Sequence, residues 1–194
     1  MKSLKESLFD SKTQTTESLF DNDLVERDIL YHPRTRGELI KCIDEQLKLQ
    51  GPNANLNIID VSQITDMSGL FDKIGILPGV SGEIKNIDIS LWNTSRVKNM
   101  SYMFCGCKSF NSDLSKWDVS NVSDMTCMFA NCEQFNSDLS KWDVSKVKSI
   151  RQMFQHCYRF NSDLSKWDVS NVRDKYGTAG MFLLCFLFKS DLSK

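Results

Sequence analysis

Seven cysteines, two histidines and a recurring set of aspartates are the residues in this 194-residue chain whose types could do chemistry. Cys107, Cys132, Cys157 and Cys185 recur at near-constant spacing, and thiols held in register could form disulfides or a zinc centre. Neither use is expected. Stacked side chains point in parallel, against disulfide geometry, and zinc lacks both a CxxC pair and histidines beyond His32 and His156. The thiols should instead fill a narrow part of the core. Asp113, Asp138 and Asp163 could offer carboxylates to calcium, a lesser expectation than a structural role for aspartates that simply follow the repeat. There is no nucleophile beside a base, no GxGxxG and no GKS/T segment, so no catalytic residue, cofactor or metal is expected and the chain reads as a non-enzyme.

What must position these residues is a repeat. Trp92, Trp117, Trp142 and Trp167 are 25 residues apart, and FNSDLSKWDVS occurs three times, from Phe110, Phe135 and Phe160. The unit is FNSDLSKWDVSNVxxMxxMFxxCxx. A diverged copy begins at Asp60, with an insertion within residues 72–83, and a last copy carries three extra residues around Gly177 to Gly180. Such a period predicts stacked units, none able to bury its apolar side alone.

Within the unit, Val97, Met100, Phe104 and Cys107, with Met103 beside them, fall at helical spacing. Leu114, Trp117 and Val119 follow the LxxLxL spacing of a leucine-rich-repeat strand. The expectation is an α/β fold: a leucine-rich-repeat-like solenoid of about five strand-plus-short-helix rungs behind a helical N-terminal cap. Thr35 and Glu38 form a capping box and Gly51 with Pro52 stops the helix, whose buried face is Leu39, Ile40, Ile43 and Leu47. This helix should lie over a first strand at residues 55–61. The organisation is then a leader at 1–31, cap helix and first strand at 32–59, and the repeat at 60–194 with its last rung incomplete.

Bulk properties narrow the partners. With 24 basic and 25 acidic residues the net charge is −1, which points to neither nucleic acid nor an acidic membrane. No stretch is long and apolar enough for a secretory signal or a membrane span, so a cytoplasmic or virion-associated address is expected.

WDVSNVxxMxxMFxxC with FNSDLSKW resembles the BspA-like leucine-rich-repeat surface proteins, including the repeat of mycoplasma-type surface lipoproteins. The resemblance covers roughly residues 33–194. It implies an adhesion and protein-binding module, often at a bacterial surface, with no catalytic residues to carry over, and the leader separately resembles N-termini of gut-bacterial and phage proteins. A protein partner is therefore expected, or else a structural part in a virion or surface particle.

Register also builds polar columns. Asn86, Asn111, Asn136 and Asn161 should form a structural ladder. Lys116, Lys141 and Lys166 with Asp118, Asp143 and Asp168 should pair across rungs on a strand face, the candidate interaction surface. At the N-terminus ESLFD occurs at residues 6–10 and 17–21, making Leu8, Phe9, Leu19 and Phe20 a candidate doubled docking motif in the leader. At the other end Leu183, Leu184, Phe186 and Leu187 replace polar positions. Self-association through that rung, a partner, or continuation of the array would cover them.

Overall fold

A computed structural model describes residues 29–73, 79–82, 84–173 and 178–189. Its one helix among them, α1 (Arg36–Gln50), starts and stops where its end signals stand. Thr35 is extended and its Oγ1 accepts from the Glu38 amide at 3.2 Å, while Glu38 reaches back to the Arg34 amide at 2.8 Å. Gly51, at φ 79°, closes the other end by donating its N–H to Leu47 O. Leu39, Ile43 and Leu47 are buried as expected, Ile40 only half so.

The predicted strand-and-helix rungs are absent. No helix occurs beyond α1 and no strand at all among the described residues; parallel pairing is limited to isolated bridges such as Asp66 with Asn99, Asn99 with Asp124, and Asp124 with Ser149. The α/β leucine-rich-repeat solenoid is therefore corrected, and the helical cap with it: residues 55–61 form turns and single bridges, so α1 has no first strand to cover.

The reason lies in where the backbone N–H groups go. A helix spends each on the carbonyl four residues back. Here Met100, Tyr102, Phe104 and Gly106 donate to Asp124, Thr126, Met128 and Ala130 of the next unit at 2.8–2.9 Å. The intervening Met103, Cys105 and Cys107 donate three residues back within their own unit. Such chained turns need a left-handed residue at every fourth position: Tyr102 and Gly106 (φ 59° and 77°), Cys127 and Asn131 (53° and 62°), Gln152 and His156 (53° and 59°). A right-handed helix cannot contain them. The apolar spacing 97, 100, 103 suits three-residue turns as well as it suits a helix, which is why it misleads.

The other half of the unit fails as a strand for a similar reason. Trp117 donates its amide to Leu114 O and Val122 to Val119 O, closing turns where a strand would present those groups to a neighbour. Val119, Trp117 and Leu114 nevertheless point inward and are buried.

Packing supplies what the regular elements do not. Phe71, Phe104, Phe129, Phe154 and Phe182 stack at centroid steps of 5.3, 5.6, 5.7 and 5.7 Å with near-parallel rings. A second column, Phe110, Phe135, Phe160 and Phe188, lies beside the first and repeats at 5.9–6.0 Å. One continuous core runs from Leu39 to Met181.

Candidate functional site

The side chains that could do chemistry are largely consumed by this scaffold. The Cys107, Cys132 and Cys157 thiols each donate at 3.0 Å to a phenylalanine carbonyl of the preceding unit, Phe71, Phe104 and Phe129. Cys185 repeats the contact with Phe154 O at 2.6 Å. Burial pushes the Cys105 thiol up to about 12 and Cys185 to about 11, and drives Cys107, Cys132 and Cys157 upward too. Thiols held protonated are weak nucleophiles and weak metal ligands. The indole N–H of Trp117, Trp142 and Trp167 likewise reaches back one unit, to Ile89, Leu114 and Leu139 carbonyls at 3.0 Å.

The aspartates act as turn formers. Oδ1 of Asp113, Asp138 and Asp163 accepts the amide two residues on, from Ser115, Ser140 and Ser165 at 2.9 Å. These amide bonds hold the Asp113 and Asp138 carboxyls below the usual range. Among the described residues no three His, Cys, Asp or Glu side chains gather into a metal-holding group. His32 Nδ1 lies 3.5 Å from Asp60 Oδ2, and His156 Nδ1 lies 2.8 Å from Asn131 Oδ1.

Lys116, Lys141, Lys166, Asp118, Asp143 and Asp168 are all exposed, in register, as a face should be. Their cross-unit pairing is not found: the ion pairs among the described residues are His32 with Asp60 and Lys108 with Glu133. Asp118, Asp143 and Asp168 instead accept the amides of Ser120, Ser145 and Ser170 at 2.9–3.0 Å. The Ser145 hydrogen bonds lower the Asp143 carboxyl most, Lys146 adds to this, and Asp168 opposes it as a like charge. Lys166 and Asp168 do line a shallow groove of about 330 Å³ with Ser165, Trp167 and Ser170.

The asparagine column is a ladder, built from side chain to backbone. Asn111 Oδ1 accepts the Asn136 amide, and Asn136 Oδ1 the Asn161 amide, each at 2.8 Å.

A larger groove, about 760 Å³, lies where sequence reasoning placed nothing: Asn121, Ser123, Lys146, Lys148, Asn171 and Arg173 line it. Two columns make it. Asn121, Lys146 and Asn171 come from one register position, and Asn121 and Asn171 donate to Ser95 O and Ser145 O at 2.8 and 2.6 Å while Lys146 Nζ donates to Asn121 Oδ1 at 2.7 Å. Ser123, Lys148 and Arg173 come from another, with Lys98 one unit earlier. Lys98, Lys148 and Arg173 have no side-chain partner among the described residues. The available signal was variation: the second and fourth positions of the SNVxx stretch differ between copies, and Arg96, Lys146, Lys98, Lys148 and Arg173 place cations there.

Leu183, Leu184, Phe186 and Leu187 are exposed as expected, between 45% and 71%. Leu8, Phe9, Leu19 and Phe20 lie outside the described residues.

Neither a curated protein nor a solved structure matches the chain. A family match covers residues 65–194, more than half of the chain, and spans every member of the basic groove and of the lysine and aspartate columns. By that match the chain belongs to the family described as Mycoplasma protein of unknown function, DUF285.

Proposed function

We propose that this chain is a non-catalytic protein-binding module of the BspA-like kind, displayed at a surface, and that it holds an acidic segment of its partner in the groove between Asn121 and Arg173. The observation that carries the reading is the unspent charge of Lys98, Lys148 and Arg173 beside side chains otherwise committed to holding the stack together. Lys148 and Arg173 occupy adjacent layers about 5 Å apart and repel one another, so a carboxylate bridging them relieves that repulsion as well as gaining its own charge-assisted hydrogen bonds. Asn121 and Asn171 flank the cations with amides already oriented by backbone carbonyls, which lowers the ordering cost of an added hydrogen bond.

The chemistry-bearing residues favour no reaction. The Cys105, Cys107, Cys127, Cys132 and Cys157 thiols are buried, which raises their pKa values, and Asp113, Asp138 and Asp163 accept turn amides.

A poly-glutamate peptide titrated onto the full chain tests the reading. Binding should weaken as salt rises, and Lys148→Glu with Arg173→Glu should reduce affinity by roughly tenfold or more. Equal binding of wild type and variant, or indifference to salt, would overturn it.

A further inference from the structure

Four of the seven cysteines follow the repeat and Cys42 lies on α1, but Cys105 and Cys127 fit neither place. The unit position of Cys105 holds Ala130 and Gln155 in the next two copies, and that of Cys127 holds Tyr102 before it and Gln152 after it. The stack is therefore built without a thiol at either position. The column thiols Cys107, Cys132, Cys157 and Cys185 each have a backbone carbonyl partner. Among the described residues the Cys105 thiol has no hydrogen-bond partner, and Cys127 is held by side chains alone, a 3.7 Å contact to Gln152 Oε1 and the Tyr102 hydroxyl.

These two irregular thiols, from different copies and different places in the unit, come together. Cys105, Cys127 and Ala130 form a small buried cluster apart from the main core, with the half-buried Tyr102 packed against it. The Tyr102 and Gly106 amides donate to Thr126 O and Ala130 O, each at 2.8 Å, so the turn 102–105 lies along 127–130 of the next layer. Cys127 then stacks on Tyr102 and Ala130 on Cys105, which sets the two cysteines on a diagonal between layers about 5 Å apart. The Cys105 amide closes its turn on Tyr102 O at 3.1 Å, which holds Cys105 within about 7 Å of the residue beneath Cys127. A disulfide requires side chains that converge. Thiols stacked in one column run parallel and fail that requirement, whereas a diagonal pair sharing one cluster meets it.

Their surroundings also set an order of reaction. Burial pushes the Cys105 thiol up to about 12, and the charges of Asp72 and Cys127 add to this. Burial raises Cys127 as well, but there the Tyr102 hydroxyl and the Arg151 guanidinium act in the opposite direction, favouring the thiolate. Cys127 is also the less buried of the two, at 7% against 1%.

We propose that Cys105 and Cys127 form a reversible disulfide that ties adjacent layers of the stack, while the column thiols stay free. The oxidant is a small disulfide such as oxidised glutathione. The Cys127 thiolate attacks one of its sulfurs, and the small thiolate released takes up the proton that Cys127 lost. The Cys105 thiolate then attacks the Cys127 sulfur of the mixed disulfide and displaces the second small thiol, which takes up the proton from Cys105. One S–S bond breaks, one forms, and two electrons pass from the pair to the reagent. Burial slows these steps in the closed stack, so refolding in the reagent, before the layers close, is the fast route. The bond ties the chain to itself and turns over no substrate. It does not depend on the basic groove, and either can fail without the other.

The full chain refolded from urea with oxidised and reduced glutathione, beside the same chain refolded with dithiothreitol, tests this. After denaturation the oxidised wild type should show two fewer reactive thiols than the seven of the reduced chain. A protease digest made without reductant should join the peptide bearing Cys105 to the one bearing Cys127, within one molecule. Cys105→Ala and Cys127→Gln copy Ala130 and Gln152 of the adjoining unit, so the stack is kept, and in each variant every remaining thiol should stay reactive. Dithiothreitol should lower the urea midpoint of the oxidised wild type and leave those of the variants unchanged. A wild type that keeps all its thiols, a loss that persists in either variant, a link between two molecules, or an oxidised wild type no more resistant to urea than the reduced one would overturn the proposal.

Discussion

Aspartates at the turns and cysteines in the core give this protein opposite dependences on pH. The Asp113, Asp138 and Asp143 carboxyls lie below the ordinary 3.8, so the stability they contribute is present above that value and is lost as pH falls through their folded values. The thiols have the other sign. Their folded pKa values are raised above 9.0, to about 12 for Cys105 and about 11 for Cys185, so their contribution is whole below pH 9 and is lost as pH rises through that interval, where only the unfolded chain ionises. The urea midpoint should therefore hold level between about pH 5 and 8 and decline on both sides. A midpoint unchanged from pH 8 to 10 would count against the buried, protonated thiols.

At the scale of elements the chained turns replace helix and strand, and they depend on backbone conformations that a helix forbids. Gly106 sits at φ 77°, where an L side chain is strained, whereas Gly37 sits in α1 with nothing within 4 Å of an added Cβ. Gly106→Ala should destabilise by about 1–2 kcal/mol. Gly37→Ala should stabilise by about 0.5–1 kcal/mol. Thermal or urea unfolding of the two variants checks the contrast, and shifts of the same sign would contradict the turn assignment. The cost at the left-handed positions is borne because each such turn frees the alternate N–H groups that tie one unit to the next.

The whole molecule is held by columns that run across units. Phenylalanine rings, cysteine-to-carbonyl contacts, asparagine-to-amide contacts and forward backbone bonds all recur with the same offset, so one internal unit can be exchanged for its neighbour. Excising residues 135–159 joins Gln134 to Phe160 and returns the same FNSDLSKWDVS segment to the same place. The shortened chain should still unfold cooperatively, with a smaller urea m-value because less surface is buried. A broad, non-cooperative transition would show that the units are not equivalent.

The sequence by itself determined the register. The period, the insertions, the inward set Leu114, Trp117 and Val119, the cysteine column, the asparagine column and the exposed Leu183 to Leu187 surface all follow from aligning the chain with itself, because burial is a property of position within a repeated unit. The ends of α1 were legible too, through Thr35, Glu38 and Gly51. Three features were decided only in the tertiary structure. Turns prevailed over helix and strand because their spare N–H groups gain partners only once a second unit is stacked beside the first. Asp118, Asp143 and Asp168 turned to their own serine amides and left the neighbouring lysines unpaired, since a hydrogen bond two residues away costs less chain ordering than an ion pair across layers. The basic groove formed from side chains 25 residues apart, at two of the positions where the copies differ. Spacing along the chain shows which residues share a column, but only the folded stack shows which columns border a common hollow.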